Sequence, residues 1–361
     1  MKKNKIVLFT ESMAVMGGME RVVDFLSCEL SKENHVSILT MDGDICNEFK
    51  AKCDVDTLSV NIVPNGLINK IKRYIKTIYL LFRYLKKNDE IEYFIANSPA
   101  LCCSTMLVSF CIKNKIKFVM FEHNKFSFPG VFWKIVRRLT FARAHKVIAL
   151  TADAHYSYKS IGCPSVHIPN AMSISIEGKS NRDNKKLVAV GRLVYQKGFD
   201  LLLPAWKIVI EKHPDWVLEI VGEGEEEESL KKQSNNLGLS NNVSFYGKST
   251  HVQNNYKEAS GFILSSRYEG FGLVIVEAMA HGLPCVSFDC ESGPNEIITN
   301  GVNGYLAKEN DINDLADKII CYISLDEDEK NKMSNEALLT STHYQPKAIF
   351  EQWKNKVFNE N

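Results

Sequence analysis

The sequence predicts an α/β protein made of two Rossmann-like domains with parallel sheets, and three observations carry that prediction. Short strand-forming runs alternate with helical stretches through the first half. The alternation breaks once, at a polar segment containing prolines, and then restarts in the same style. At 361 residues the chain is too long for one ordinary core and suits two domains of about 150–200 residues each.

In order along the chain, Lys5–Thr10 reads as the opening strand, and 20–33 as a helix with Val22, Val23, Leu26 and Leu30 at helical spacing. Strands follow at 35–41, 93–96, 117–121 and 146–150, with helices near 99–112, 131–144 and 152–161. Residues 164–172 interrupt this pattern and 178–184 are polar and turn-like, which places a linker at 169–184 between domains at 1–168 and 185–345. The second domain is expected to have strands at 187–190, 216–221, 243–246, 261–264 and 284–288. Its helices are expected near 198–212, 225–236, 273–281, 294–299 and 311–323. A last helix, 346–358, begins a C-terminal segment of 346–361.

Composition narrows the class. Hydrophobic residues make up 45% and charged residues 24%, a globular rather than a disordered profile. No stretch approaches the roughly 20 uncharged apolar residues of a membrane span, and the apolar run Ile6–Phe9 is too short for a signal-peptide core. The ten cysteines form no Cys-x-x-Cys pair, so reduced thiols in a cytosolic protein are expected rather than a zinc site or a disulfide framework.

A net charge of +1 hides an asymmetry. Residues 1–178 carry 24 Lys/Arg against 16 Asp/Glu, and within 61–150 the count is 16 against 4. Ile68–Lys87 alone holds seven cations and no acid, mixed with aromatic and aliphatic residues, and Lys134, Arg137, Arg138, Arg143 and Lys146 follow. Cationic helices of this kind adsorb to anionic membrane surfaces, or they pack against a core and solvate a Lys/Arg face. Nucleic acid is not expected as a partner, because no recognition motif accompanies the charge.

The most informative string is Ser265-Ser266-Arg267-Tyr268-Glu269-Gly270-Phe271-Gly272-Leu273, continuing through Glu277 to Pro284. A buried strand ends at Leu264, a glycine-rich turn follows, and a helix opens near Gly272. Gly270 and Gly272 let the backbone approach a ligand, and the unpaired amides of a helix start suit phosphate oxygens. Glu269 and Glu277 stand eight positions apart and can grip different ends of one elongated ligand. Alternatively the glycines only tighten a βαβ turn and Glu277 is a solvated helix residue.

On these residues the sequence resembles glycosyltransferase family four, the retaining transferases of GT-B fold. That family's element, Glu-Gly-Phe-Gly-Leu followed eight positions after its first Glu by Glu-Ala-Met-Ala, is matched from Glu269 to Val286 almost throughout. The resemblance implies two facing domains, with the C-terminal helix crossing back to the first. It places Glu269 near the donor sugar hydroxyls, Glu277 on the nucleotide ribose, and the amides of Gly270, Phe271, Gly272 and Leu273 at the sugar or diphosphate. A second element, Gly191-Arg192-Leu193 through Lys197-Gly198, resembles the family's Gly-Arg-Leu-x-x-x-Lys-Gly. Arg192 and Lys197 would then converge on the diphosphate, where charge builds on the leaving group.

Three further matches extend the resemblance. Gly17-Gly18-Met19-Glu20-Arg21 follows the first strand, a place for phosphate in doubly wound folds, and implies that Gly17 and Gly18 face the donor. Glu122-His123-Asn124 makes His123 the candidate on the catalytic side of the first domain. Asn170 resembles a linker residue that shapes the hinge. Gly222-Glu223-Gly224 and Glu291–Gly304 follow the family loosely, the acidic run Glu225–Glu228 replacing a more usual Gly-Pro-Glu. The Asp-x-Asp triplets at 42–44, 54–56 and 326–328 sit in surroundings that do not fit a nucleotide–metal site, so neither metal nor other cofactor is expected.

The activity so implied is transfer of a hexose or N-acetylhexosamine, with a UDP-linked donor expected, to a hydroxyl of a lipid-linked glycan acceptor. Capsule, O-antigen or lipopolysaccharide synthesis, on the inner face of the cytoplasmic membrane, is the setting it suggests. A sugar-nucleotide epimerase of the same fold and a non-catalytic partner subunit remain as rivals. The latter is expected to have lost some of Arg192, Lys197, Glu269 and Glu277, and all four are present.

Overall fold

The structure is a computed structural model describing residues 3–14, 17–43, 49, 53–112, 115–123, 126–127, 130–172, 180 and 184–359. The chain divides into two compact units, Met1–Ser173 with Ile349–Asn361 and Ile174–Ala348. The expected linker, 169–184, lies largely outside the described residues, as do Asn124 and Asp44.

Unit 1 is built on strands β1 (Lys5–Thr10), β2 (His35–Thr40), β3 (Asp54–Thr57), β4 (Tyr93–Asn97), β5 (Lys117–Phe121), β6 (Lys146–Ala149) and β7 (Ser165–His167). They pair in parallel in the order β3-β2-β1-β4-β5-β6-β7. Ile6, Val7, Leu8 and Phe9 are all fully buried, as a parallel strand covered on both faces requires. The helices are α1 (Gly18–Leu30), α2 (Gly66–Lys87), α3 (Pro99–Ser109), α4 (Val131–Thr140) and α5 (Ala152–Ser160). Val22, Val23, Leu26 and Leu30 of α1 are buried, as their spacing predicts.

Unit 2 repeats the plan. Its strands are β8 (Lys186–Val190), β9 (Val217–Val221), β10 (Val243–Gly247), β11 (Gly261–Leu264), β12 (Cys285–Phe288) and β13 (Gly304–Ala307). The parallel order is β10-β9-β8-β11-β12-β13. The helices are α6 (Phe199–Lys212), α7 (Glu227–Asn236), α8 (Val252–Lys257), α9 (Leu273–Ala280), α10 (Pro294–Ile297), α11 (Ile312–Ile323) and α12 (Glu327–Thr342). A last helix, α13 (Pro346–Trp353), starts in unit 2 and from Ile349 onward belongs to unit 1. α6 carries Pro204, which has no N–H to give the Asp200 carbonyl one turn earlier. The Gln233 side chain of α7 donates to that carbonyl instead, at 2.9 Å.

Strands β3, β7 and β13 and helices α8 and α12 are additions to the elements read from sequence. β3 is Asp-Val-Asp-Thr, a polar edge strand with no apolar alternation to betray it. α12 is polar over most of its surface, and its signal is a cap. The Asp326 carboxylate accepts from Glu329 N at 2.8 Å while the Glu329 carboxylate accepts from Asp326 N at 3.1 Å. The 326–328 triplet is thus a helix start, and 54–56 lies along β3.

A buried ion pair ties three elements of unit 1 together. Arg137 of α4 donates to Glu122, just after β5, at 2.6 Å, and the hydroxyl of Tyr158 on α5 donates to the same oxygen at 2.7 Å. Burial raises the Glu122 pKa, against the opposing pull of Arg137. None of the described cysteines forms a disulfide. Among the described residues no helix is long and apolar enough to cross a membrane.

Candidate functional site

The site expected in unit 2 assembles where β8 and β11 lie side by side. The chain leaves β8 towards β9 on one side and returns through β11 on the other, a topological switch point of the kind that holds ligands in such sheets. The loop after β8 runs Gly191–Gly198 and ends in a single 3₁₀ turn at Tyr195–Lys197. The loop after β11 runs from Ser265 to Gly272.

The two loops are fastened to each other. Arg267 N donates to the Gln196 carbonyl at 2.8 Å, Gln196 Nε2 to the Tyr268 carbonyl at 3.0 Å, and Ser265 Oγ to the Lys197 carbonyl at 2.9 Å. The Arg267 guanidinium clasps Asp200 with two bonds of 2.8 and 2.7 Å and lies 3.9 Å from the centroid of the Tyr195 ring. Arg267 and Asp200 are 67 positions apart, so no spacing rule reveals the pair from sequence.

That frame brings Lys197 to Glu269. Lys197 Nζ donates to Glu269 Oε1 at 2.6 Å, Ser266 Oγ donates to the same oxygen at 2.6 Å, and Oε2 takes neither bond. Glu269 is buried, so the pair is screened little by water. Arg192 is exposed and makes no ion pair or side-chain hydrogen bond among the described residues.

Glycines permit this closeness. A Cβ on Gly222 or Gly224 would come within 1.9 Å of the Gly191 carbonyl or 2.3 Å of the Leu193 carbonyl. The second cradle is the start of α9. Gly272, at φ +91°, turns the chain into the helix. Among the described residues the N–H groups of Gly270, Phe271, Gly272 and Leu273 donate to no protein acceptor. Helix starts with such free amides attract anionic oxygens. Glu277 is buried one turn further along α9. Of the candidates in unit 2, Lys197 and Glu269 are in contact, Gly270–Leu273 follow Glu269 directly in the chain, Arg192 stands in the loop after β8, and Glu277 lies a turn into α9.

The other expected residues belong to unit 1. Gly17 and Gly18 open α1, and Gly17 N donates to the Glu20 carboxylate at 3.1 Å, so that side chain caps the helix. His123 follows β5, its ring centroid 4.1 Å from that of Phe121 and its Nε2 3.1 Å from Asn97 Oδ1 at the end of β4. The residue is half-buried, and enclosure of its ring pushes the pKa down to about 3. Asn97 and the Glu11–Ser98 contact beside it, 3.0 Å between carboxylate and hydroxyl, escaped sequence reasoning because Ile95-Ala96-Asn97-Ser98 matches no motif. Ser98 holds φ +82°, an uncommon conformation for a non-glycine residue. Asn170 is buried, and among the described residues its Oδ1 has no hydrogen-bond partner. Among the described residues no group of three or more His, Cys, Asp or Glu could hold a metal ion.

Two family models match the chain: "Glycosyltransferase Family 4" over 16–175 and "Glycosyl transferases group 1" over 173–339. An uncharacterized glycosyltransferase of Haemophilus influenzae is 30% identical over 359 residues, covering 97% of this chain and 99% of the relative. The amylovoran biosynthesis glycosyltransferase AmsD of Erwinia amylovora is 27% identical over 365 residues, covering 98% and 99%. Among solved structures, the lipopolysaccharide outer core galactosyltransferase WaaB superposes with a TM-score of 0.78 at 21% identity, covering 98% of this chain and 99% of the other. HepE of Anabaena, in complex with UDP-glucose, gives 0.79 at 21% identity with the same coverage. Those two likenesses are of fold, and the fold is GT-B. With the fold, the fastened loops and the matching sequences together, this chain is a member of glycosyltransferase family four.

Proposed function

We propose that this glycosyltransferase moves a hexose or N-acetylhexosamine from a UDP-linked donor to a hydroxyl of a lipid-linked glycan, with retention at the anomeric carbon, in capsule, O-antigen or lipopolysaccharide synthesis. The observation that carries the proposal is the hydrogen-bonded Lys197–Glu269 pair, next in the chain to four uncommitted amides at the start of α9, with an exposed Arg192 in the same loop as Lys197. Two cations and a row of N–H groups suit a diphosphate, whereas Glu269 Oε2 suits a sugar hydroxyl. UDP as the nucleotide is supported by the HepE complex, and a surface glycan as the product by the names of WaaB and AmsD.

As the glycosidic bond breaks, negative charge grows on the departing diphosphate. Arg192, Lys197 and the Gly270–Leu273 amides would stabilise that charge more than the ground state, which is what lowers a barrier. The acceptor hydroxyl attacks from the face the nucleotide leaves, and a phosphate oxygen of the departing diphosphate takes its proton. No metal is assigned to the step. Glu277 would hold the ribose, Gly17 and Gly18 the far side of the diphosphate, and His123 the reacting sugar. The enzyme would work at the inner face of the cytoplasmic membrane, its basic helices adsorbed to anionic lipid.

The test incubates the protein with membranes and radiolabelled UDP-glucose, UDP-galactose or UDP-N-acetylglucosamine, with EDTA present. Label should pass to the lipid fraction. Arg192→Ala and Lys197→Ala should each lower turnover by about 100-fold or more with an unchanged circular dichroism spectrum. Near-normal turnover in both variants removes the assignment, an altered free nucleotide sugar indicates an epimerase, and a need for added metal overturns the metal-free step.

A further inference from the structure

The polar faces of α2 and α4 account for adsorption to a charged surface, but the two helices also expose side chains that adsorption leaves unexplained. On α2, Ile68, Ile71, Ile75 and Tyr79 are exposed, Ile68 to 70%. Their spacings of three, four and four place them in one stripe. The buried residues of the helix, Thr77, Leu81 and Leu85, lie on another face. On α4, Phe132, Ile135 and Leu139 repeat the pattern, Leu139 being 72% exposed. The two helices are neighbours, because the Tyr74 ring of α2 meets the Trp133 ring of α4 edge to face at 5.0 Å. Scattered apolar residues on a surface need no explanation, but two adjoining helices each with an exposed apolar stripe do.

The charges select the occupant. Lys70, Lys72, Lys86 and Lys87 on α2, and Lys134 and Arg138 on α4, have no ion-pair partner among the described residues. Neither helix contains a single Asp or Glu. A second copy of the chain docking through this face would set these cations against themselves, and a two-fold interface must be self-complementary. A bilayer with anionic headgroups offers hydrocarbon to the stripes and phosphates to the cations. α2 also has cations at both ends and in its middle, so it suits the interface plane and not a span.

We propose that α2 and α4 together form an insertion surface for a bilayer containing anionic lipid, with their apolar stripes below the headgroups and their unpaired cations among the phosphates. This deepens the membrane-surface reading above, on which it rests, by replacing adsorption with insertion. It does not depend on which sugar is transferred.

The whole chain is mixed with phosphatidylcholine vesicles with and without phosphatidylglycerol, and binding is measured by sedimentation at low salt and at about 0.5 M NaCl, where charge attraction is largely screened. Insertion predicts that phosphatidylglycerol is needed for tight binding and that much of the bound protein survives the salt. The triple variant Ile71→Asp, Ile75→Asp, Phe132→Asp should bind at least about tenfold more weakly. All three side chains are exposed, so an unchanged circular dichroism spectrum and unchanged UDP release in free solution are expected. A Phe132→Trp variant should gain fluorescence that lipids brominated on the acyl chain quench. The proposal is overturned if the triple variant binds like the wild type, if salt strips all the protein from the vesicles, or if brominated lipid leaves the new tryptophan unquenched. It is equally overturned if the face instead holds a dimer that the triple variant dissociates. Because UDP release is read separately, loss of vesicle binding and loss of transferase chemistry remain distinguishable.

Discussion

Asn97 Nδ2 donates to the Phe9 carbonyl at 3.1 Å, so its Oδ1 is the atom that meets His123 Nε2. That arrangement puts the imidazole hydrogen on Nε2 and leaves Nδ1 as an acceptor. The ring is neutral, since its pKa is pushed down to about 3 by loss of water. The native ring binds fewer protons than an unfolded histidine of pKa about 6.5. Its contribution to stability is therefore complete above that value and is lost as pH falls towards about 3. Replacing Asn97 by Asp should reverse the shift, because a carboxylate beside the ring favours the imidazolium. Imidazole ¹⁵N shifts should then show a neutral Nε2–H ring from pH 5.5 to 8 in the wild type and a titrating ring in Asn97→Asp. The variant's kcat/KM should gain a fall on the acid side over the same range. A wild-type ring charged at pH 6 would contradict the assignment.

The elements around Lys197 act as one piece, and Gly198 is the joint. It sits at φ +63°, and a Cβ there would lie 2.1 Å from the Ser265 carbonyl. That carbonyl is backbone and cannot swing aside. Gly198→Ala should therefore cost the left-handed strain, about 1 kcal/mol, and in addition push the loops after β8 and β11 apart. We expect a loss of about 2 kcal/mol or more in urea unfolding, together with reduced turnover as Lys197 leaves Glu269. A variant with wild-type stability and turnover would show that the loops are not so tightly joined. The contrast within unit 1 is instructive. Among the described residues nothing lies within 4 Å of where a Cβ on Gly18 would stand, so no close approach among them accounts for that glycine.

At the scale of the whole molecule, the C-terminal segment belongs to the core of unit 1. Ile349, Phe350, Trp353 and Val357 are buried there, the Trp353 ring lies 5.2 Å from that of Phe121, and His145 Nε2 meets the Val357 carbonyl at 3.1 Å. Phe121 in turn packs on His123, so the segment supports the strand that presents the histidine. Burying four such side chains is worth about 1.5–3 kcal/mol each, comparable in sum with the 5–15 kcal/mol that holds a typical domain together. A chain ending at Ala348 should lose protection from proteolysis throughout unit 1 while unit 2 stays resistant. Equal resistance of both units would refute this account.

The sequence by itself determined the α/β class and the doubling of the architecture, and it singled out the candidate residues of unit 2. Those features rest on local signals: buried parallel strands read as apolar runs, and a glycine-rich turn between a strand and a helix keeps its spacing wherever it is folded. Tertiary structure alone decided that Lys197 meets Glu269, that Arg267 clasps Asp200, that Asn97 orients His123, and that edge strands such as β3 exist. Each of these depends on which strands become neighbours, and strand order is set by long-range packing, which leaves no periodic trace in the chain.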